Sequence, residues 1–197
     1  VDGVWGELPF EAGWQSDQDR QRAAEALDRF LAWRAQSVTG QTETERGFTF
    51  RLDSAAGGAA MRGSIDLVVG DEAGGGRVVD FKTGSTVAGV ADAEANVQLG
   101  VYQLALELDG PGDITPAGGE LVYLGVESKK DSPLPKVRSQ SPLVDADPLR
   151  EQIRQVEDVI RSEDIVAVPG STCRTCAFSR VCPAMSEGRG AEVGGGQ

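Results

Sequence analysis

Asp66, Asp80 and Lys82 fall close together in residues 62–84, RGSIDLVVGDEAGGGRVVDFKTG. Asp80 and Lys82 stand two apart in VVDFK, which reads as a strand, so both side chains leave the same face. Asp66 closes GSID on the preceding strand, and a hairpin through the glycine-rich GDEAGGG brings it opposite. Two carboxylates beside a lysine make a poor core and a useful site. They suit a hard divalent cation, Mg2+ or Mn2+, with the Phe81 peptide carbonyl as a further oxygen. Such a cation lowers the pKa of water and offsets charge developing at phosphorus, while lysine adds a compact positive charge beside it. Taken alone, the trio serves equally as the solvated face of an ordinary hairpin, because Asp-x-Lys is a common pattern.

Gln98 and Tyr102 follow at a spacing of i, i+4 in QLGVYQ. On a helix they share a face, and an amide and a phenol suit a phosphate oxygen or the lysine head. By themselves they also fit a half-buried helix edge. The remaining chemistry lies in CRTCAFSRVCP, where Cys173, Cys176 and Cys182 are spaced Cys-x2-Cys-x5-Cys-Pro. Thiolates at that spacing can converge on one soft centre, and the following proline resembles iron–sulfur loops. Zinc is the other candidate, although its structural sites take four protein ligands. The chain has no histidine, which removes Ser-His-Asp and Cys-His catalysis and histidine-ligated zinc.

The elements that must position these groups are readable from periodicity. Residues 17–35 read as an amphipathic helix capped by Ser16 or Asp17, with Ala23, Leu27, Phe30, Leu31 and Trp33 on its apolar side. ERGFTFRL alternates Phe48, Phe50 and Leu52 as a half-buried strand does, and AAMRGSIDLVV and RVVDFK form the hairpin. Residues 92–108 read as one helix through Val97, Val101, Leu104 and Leu108. ELVYLGV reads as a strand, and residues 147–163 as a helix opened by Asp-Pro, with Leu149, Ile153, Val156 and Ile160 on one face. Strands and helices in that order predict an α/β fold, a central mixed sheet flanked by helices with a C-terminal cysteine-rich loop.

Size and charge bound the alternatives. At 197 residues the chain suits one domain with a small appendage. The net charge of -12 opposes a domain that grips nucleic acid by bulk electrostatics, yet permits a nuclease whose DNA is delivered by a neighbouring module. No apolar run is long enough to span a bilayer and no signal peptide opens the chain, so a cytoplasmic location is expected and no membrane partner. The absence of an initial methionine suggests a piece of something longer.

The order Gly63-x-x-Asp66, Asp80-x-Lys82-Thr83-Gly84, Gln98-x-x-x-Tyr102 resembles the PD-(D/E)XK nucleases, specifically their RecB-like branch, whose DYKTG signature VVDFKTG follows almost letter for letter. The resemblance implies a restriction-endonuclease-like core in which Asp66, Asp80 and the Phe81 carbonyl hold the metal and Lys82 is catalytic. It also implies substrate-side roles for Gln98 and Tyr102, and Glu45 as a further acid on the preceding strand. The cysteine spacing resembles that of branch members in which a [4Fe–4S] cluster pins the C-terminal segment; their first cysteine lies far upstream and is missing here, as is the histidine many members place on an N-terminal helix.

The domain organisation expected on this basis is an N-terminal helical segment at 1–40, the nuclease core at 41–165, the iron–sulfur loop at 166–187 and a disordered tail at 188–197. The function implied is a DNA exonuclease domain of a bacterial helicase–nuclease of the RecB/AddB/Adn type, acting in double-strand-break repair. Its partners would be DNA, helicase motor domains in the same polypeptide and a second helicase–nuclease subunit. Two other readings differ in testable ways. A stand-alone CRISPR-adaptation exonuclease would carry its own first cysteine, and a non-catalytic DNA-binding scaffold would show no metal binding dependent on Asp66 and Asp80.

Overall fold

The computed structural model describes residues 13–54, 57–109, 114–163 and 166–185. Helix α1 spans Gly13–Ser37, followed by strands β1 (Thr42–Leu52), β2 (Ala59–Gly70) and β3 (Gly75–Lys82). Two helices come next, α2 (Val90–Glu94) and α3 (Val97–Leu108), then β4 (Thr115–Glu127), β5 (Pro135–Gln140) and α4 (Asp147–Ser162). The strands form one sheet in the order β1-β2-β3-β4-β5. Only the β3–β4 pair is parallel, as expected where a helical crossover separates two strands. The expected mixed α/β sheet flanked by helices is what the chain forms.

Two apolar layers cover the two faces. On one, Phe48, Phe50, Leu52, Ile65, Val68 and Val78 pack with Leu99, Leu104 and Leu106 of α3 and with Leu149 and Ile153 of α4. On the other, Leu67, Val69, Val79 and Val122 pack with Trp33 of α1. The chain divides into two compact units, residues 1–153 and 154–197. The second holds the end of α4 and a short 3-10 turn at Ser171–Thr175. Among the described residues no helix is long and apolar enough to cross a membrane.

Several local expectations are corrected. Helix α1 begins at Gly13, so Ser16 and Asp17 lie inside it and do not cap it. Its apolar side is narrower than the pattern predicts: Leu27 and Leu31 are exposed, and Trp33 and Phe30 meet the sheet. The helix expected over 92–108 is two helices, interrupted at Ala95 and Asn96, where the Asn96 side chain caps α3 by accepting from Leu99 N at 2.9 Å. Strand β5, PKVRSQ, is absent from the sequence reading because an edge strand with proline first and polar residues after it carries little alternation. On α4, Leu149 and Ile153 are buried, whereas Val156 and Ile160 are exposed. The tail expected at 188–197 lies outside the described residues.

Candidate active site

The β2–β3 ladder runs from Gly70↔Gly76 to Leu67↔Val79 and stops there. One step further the register sets Asp66 against Asp80. There the Asp66 carboxylate, through Oδ2, accepts the Phe81 backbone N–H at 2.8 Å, so a side chain takes the place of a ladder contact. The break extends to β1. Pairing passes from Thr44↔Leu67 to Arg46↔Ile65, leaving Glu45 and Asp66 unpaired between them, and Glu45 holds a left-handed φ of 49°. A left-handed glutamate in a strand is strained backbone, and such strain gathers at functional positions. Across the break β2 changes phase. Ile65 and Val68, three apart, lie in one core layer, while Leu67 and Val69 lie in the other.

On β3, Val78 and Val79 enter opposite layers, so Asp80 and Lys82 fall on the face that α3 covers. Lys82 Nζ lies 2.8 Å from Asp80 Oδ2 and donates to Gln98 Oε1 at 3.0 Å. Gln98 Nε2 in turn donates to the Tyr102 hydroxyl at 2.9 Å. The i, i+4 spacing on α3 aligns the last two, and the Asn96 cap sets where the helix starts. Asp66, Asp80, Lys82, Gln98 and Tyr102 are thus gathered at one place. Glu45 is not joined to them: its carboxylate accepts from the Ser64 hydroxyl at 3.2 Å, in an exposed position.

Electrostatics ties the group together. Asp80 is 3% exposed, and burial raises its carboxyl pKa; the hydrogen bond and charge of Lys82 pull it down, and the charge of Asp66 pushes it up. Apart from the Lys82 ammonium, the buried Asp80 Oδ2 has no partner among the described residues. Burial likewise raises the Tyr102 phenol, opposed by the Gln98 hydrogen bond and Lys82 and reinforced by Asp80 and Asp66. A buried anionic oxygen whose one contact is a flexible ammonium is costly to keep, and it fits a site built for a cation. Asp66, Asp80 and a neighbouring peptide carbonyl are hard oxygen donors of the kind Mg2+ and Mn2+ take. The residues therefore fit a divalent ion, although among the described residues no three acid or thiol side chains are drawn together as a ready ligand set.

Among the described residues the cysteines form no ready ligand set. Cys173 accepts from Gly170 N at 3.2 Å through its sulfur, Cys176 is exposed, and all three are free thiols that do not converge. Phe48, expected only as a half-buried strand residue, is placed on the site face by ordinary strand alternation. Its ring contacts Tyr102 at a centroid distance of 6.0 Å.

The sequence signature of the PD-(D/E)XK nuclease superfamily matches residues 1–183. The chain belongs to that superfamily, and membership implies a nuclease. A solved structure titled "Crystal structure of SSO0001" is similar at 19% identity and a TM-score of 0.49, over 88% of this chain and 72% of that one. No curated protein matches.

Proposed function

We propose that the chain is the exonuclease domain of a bacterial helicase–nuclease that processes DNA ends in double-strand-break repair, hydrolysing phosphodiesters with Mg2+ or Mn2+. The observation that carries the reading is the connected set at the β2–β3 break: Asp66 on the Phe81 N–H, and Asp80 to Lys82 to Gln98 to Tyr102. In this reading Asp66, Asp80 and the Phe81 carbonyl present oxygens to the metal. When bound, a hard divalent cation supplies the Lewis acidity that activates water and offsets charge on the phosphodiester.

The protein's own groups do the rest. Lys82 neutralises Asp80, and with a metal held by Asp80 and Asp66, Gln98 Oε1, 3.0 Å from the ammonium, would keep Lys82 in place. Held there, the ammonium would offer a fixed positive charge to the scissile phosphate. Tyr102 orients the Gln98 amide and presents its hydroxyl to a phosphate oxygen. Glu45 adds an acid beside Asp66 once its Ser64 contact is released.

The net charge of -12 supports delivery of DNA by motor domains rather than by the domain's own surface; in this reading those motors share the polypeptide, a second subunit stands alongside, and the protein works in the cytoplasm. An iron–sulfur cluster at Cys173, Cys176 and Cys182 rests on their spacing, and it has no part in the hydrolysis. Iron analysis with absorbance at 420 nm, on an anaerobically prepared protein, tests it.

The central experiment replaces Lys82 or Asp80 with alanine. Each variant is expected to keep the fold by circular dichroism and to lose cleavage of end-labelled DNA by about a hundredfold or more. Undiminished degradation by either, or by the wild type in excess EDTA, rules the mechanism out.

A further inference from the structure

Gly63 opens the Gly63-x-x-Asp66 pattern, and its conformation is not the reason for a glycine there. It is not among the glycines with left-handed φ, so its backbone is one that any residue adopts. What is missing at position 63 is space. A Cβ at Gly63 would lie 2.6 Å from Phe48 Cζ and 2.9 Å from Cε1, both atoms of one rigid ring. Phe48 is the register partner of Gly63 across β1 and β2 and is 6% exposed, so the ring lies over bare glycine backbone. Aromatic side chains that cover a glycine in this way pin strand register.

The same ring meets Tyr102 edge to face, at 6.0 Å between centroids and 70° between planes, and it stacks on Phe50 at 5.9 Å. Beyond Tyr102 the contacts become polar and directional, through Gln98 to Lys82 and so to Asp80. Aromatic packing tolerates small shifts, but hydrogen bonds weaken steeply as distance and angle depart from ideal. We propose that Phe48, seated on Gly63, is a positioning residue that sets where the Tyr102–Gln98–Lys82 chain stands relative to Asp80. Gly63 belongs to the site because its empty side-chain volume is occupied by the Phe48 ring. The proposal rests on the reading of that site given above.

The test is a double-mutant cycle read at Lys82 rather than by cleavage. Amine-reactive labelling followed by mass spectrometry gives the modification rate of each of the four lysines, with Lys129, Lys130 and Lys136 as internal controls. In the wild type, Lys82 is held between Asp80 and Gln98. Gly63→Ala, which drives the ring off its seat, is expected to raise labelling at Lys82 about threefold or more and leave the controls unchanged. Phe48→Leu, which lacks the ring-tip atoms that the new Cβ would strike, is expected to raise it comparably. Adding Gly63→Ala to Phe48→Leu should then change the rate little. An equal effect of Gly63→Ala in both backgrounds, or unchanged Lys82 labelling in both folded single variants, overturns the proposal. Should Gly63→Ala not fold alone, Phe48→Leu against the wild type, and Gly63→Ala in the Phe48→Leu background where the ring-tip atoms are gone, complete the comparison. Labelling needs neither DNA nor metal, so a wild-type protein without cleavage activity would sink the nuclease reading and leave this test intact.

Discussion

Asp80 is the residue at which function and stability conflict most directly. Its carboxyl is buried, its pKa is raised, and one of its oxygens has the Lys82 ammonium as its contact. A raised pKa in the folded state means that the folded protein binds the proton more readily than the unfolded chain does. The stability this confers is complete below the ordinary aspartate range and is lost as pH rises through the folded-state value. At neutral pH, therefore, the ionised Asp80 weighs against the fold. Asp80→Asn is expected to inactivate the enzyme and to stabilise the metal-free protein by on the order of 1 kcal/mol at pH 7. The gain should shrink as the pH is lowered into the acid range. Urea denaturation of both proteins at pH 4 and pH 7 checks it; a variant less stable at pH 7 would show that the Lys82 contact outweighs burial. Asp66 differs, because its carboxylate holds a backbone N–H at 2.8 Å.

At the scale of elements, the site depends on two interruptions of regular structure. One is the break at Glu45 and Asp66, which ends the β2–β3 ladder and frees the Phe81 N–H for a side chain. The other is the break between α2 and α3, which lets a new cap at Asn96 start the helix carrying Gln98 and Tyr102. Amides from elsewhere hold this second break: Gln140 Nε2 donates to the carbonyls of Glu94 and Asn96 at 2.9 Å each. The fully buried Gln103 donates to Gln140 Oε1 at 2.9 Å and accepts from Leu143 N at 2.9 Å. Gln103→Leu keeps the volume and removes these bonds, so it is expected to cost about 1–3 kcal/mol in urea denaturation. A loss near zero would mean that water replaces the amide. Neither break is legible in the sequence, because periodicity runs through residues 92–108 without a fault and the residues that stabilise the gap come some forty-odd positions later. The same holds for Gly125, where a Cβ would meet the Thr83 carbonyl at 2.6 Å; close approach of two backbones leaves no local pattern.

For the whole molecule, charge governs how DNA is met. With 31 acids against 19 bases, the chain alone offers few phosphate contacts. Its affinity for DNA is expected to be weak, with a logarithmic salt dependence shallower than about −3, in fluorescence anisotropy with Ca2+ in place of Mg2+. A steep slope would reveal a cationic track and remove the reason for a delivering motor. The sequence by itself determined the α/β class, the hairpin, and the sharing of one face by Asp80 and Lys82, because strand alternation and helical spacing are local rules. It also determined the i, i+4 alignment of Gln98 with Tyr102 for the same reason. Only the tertiary structure decided that these two pairs meet, that Glu45 stands apart on Ser64, and that Phe48 fills the space above Gly63. Those outcomes depend on register between strands and on α3 crossing the sheet, where residues distant in sequence compete for one volume.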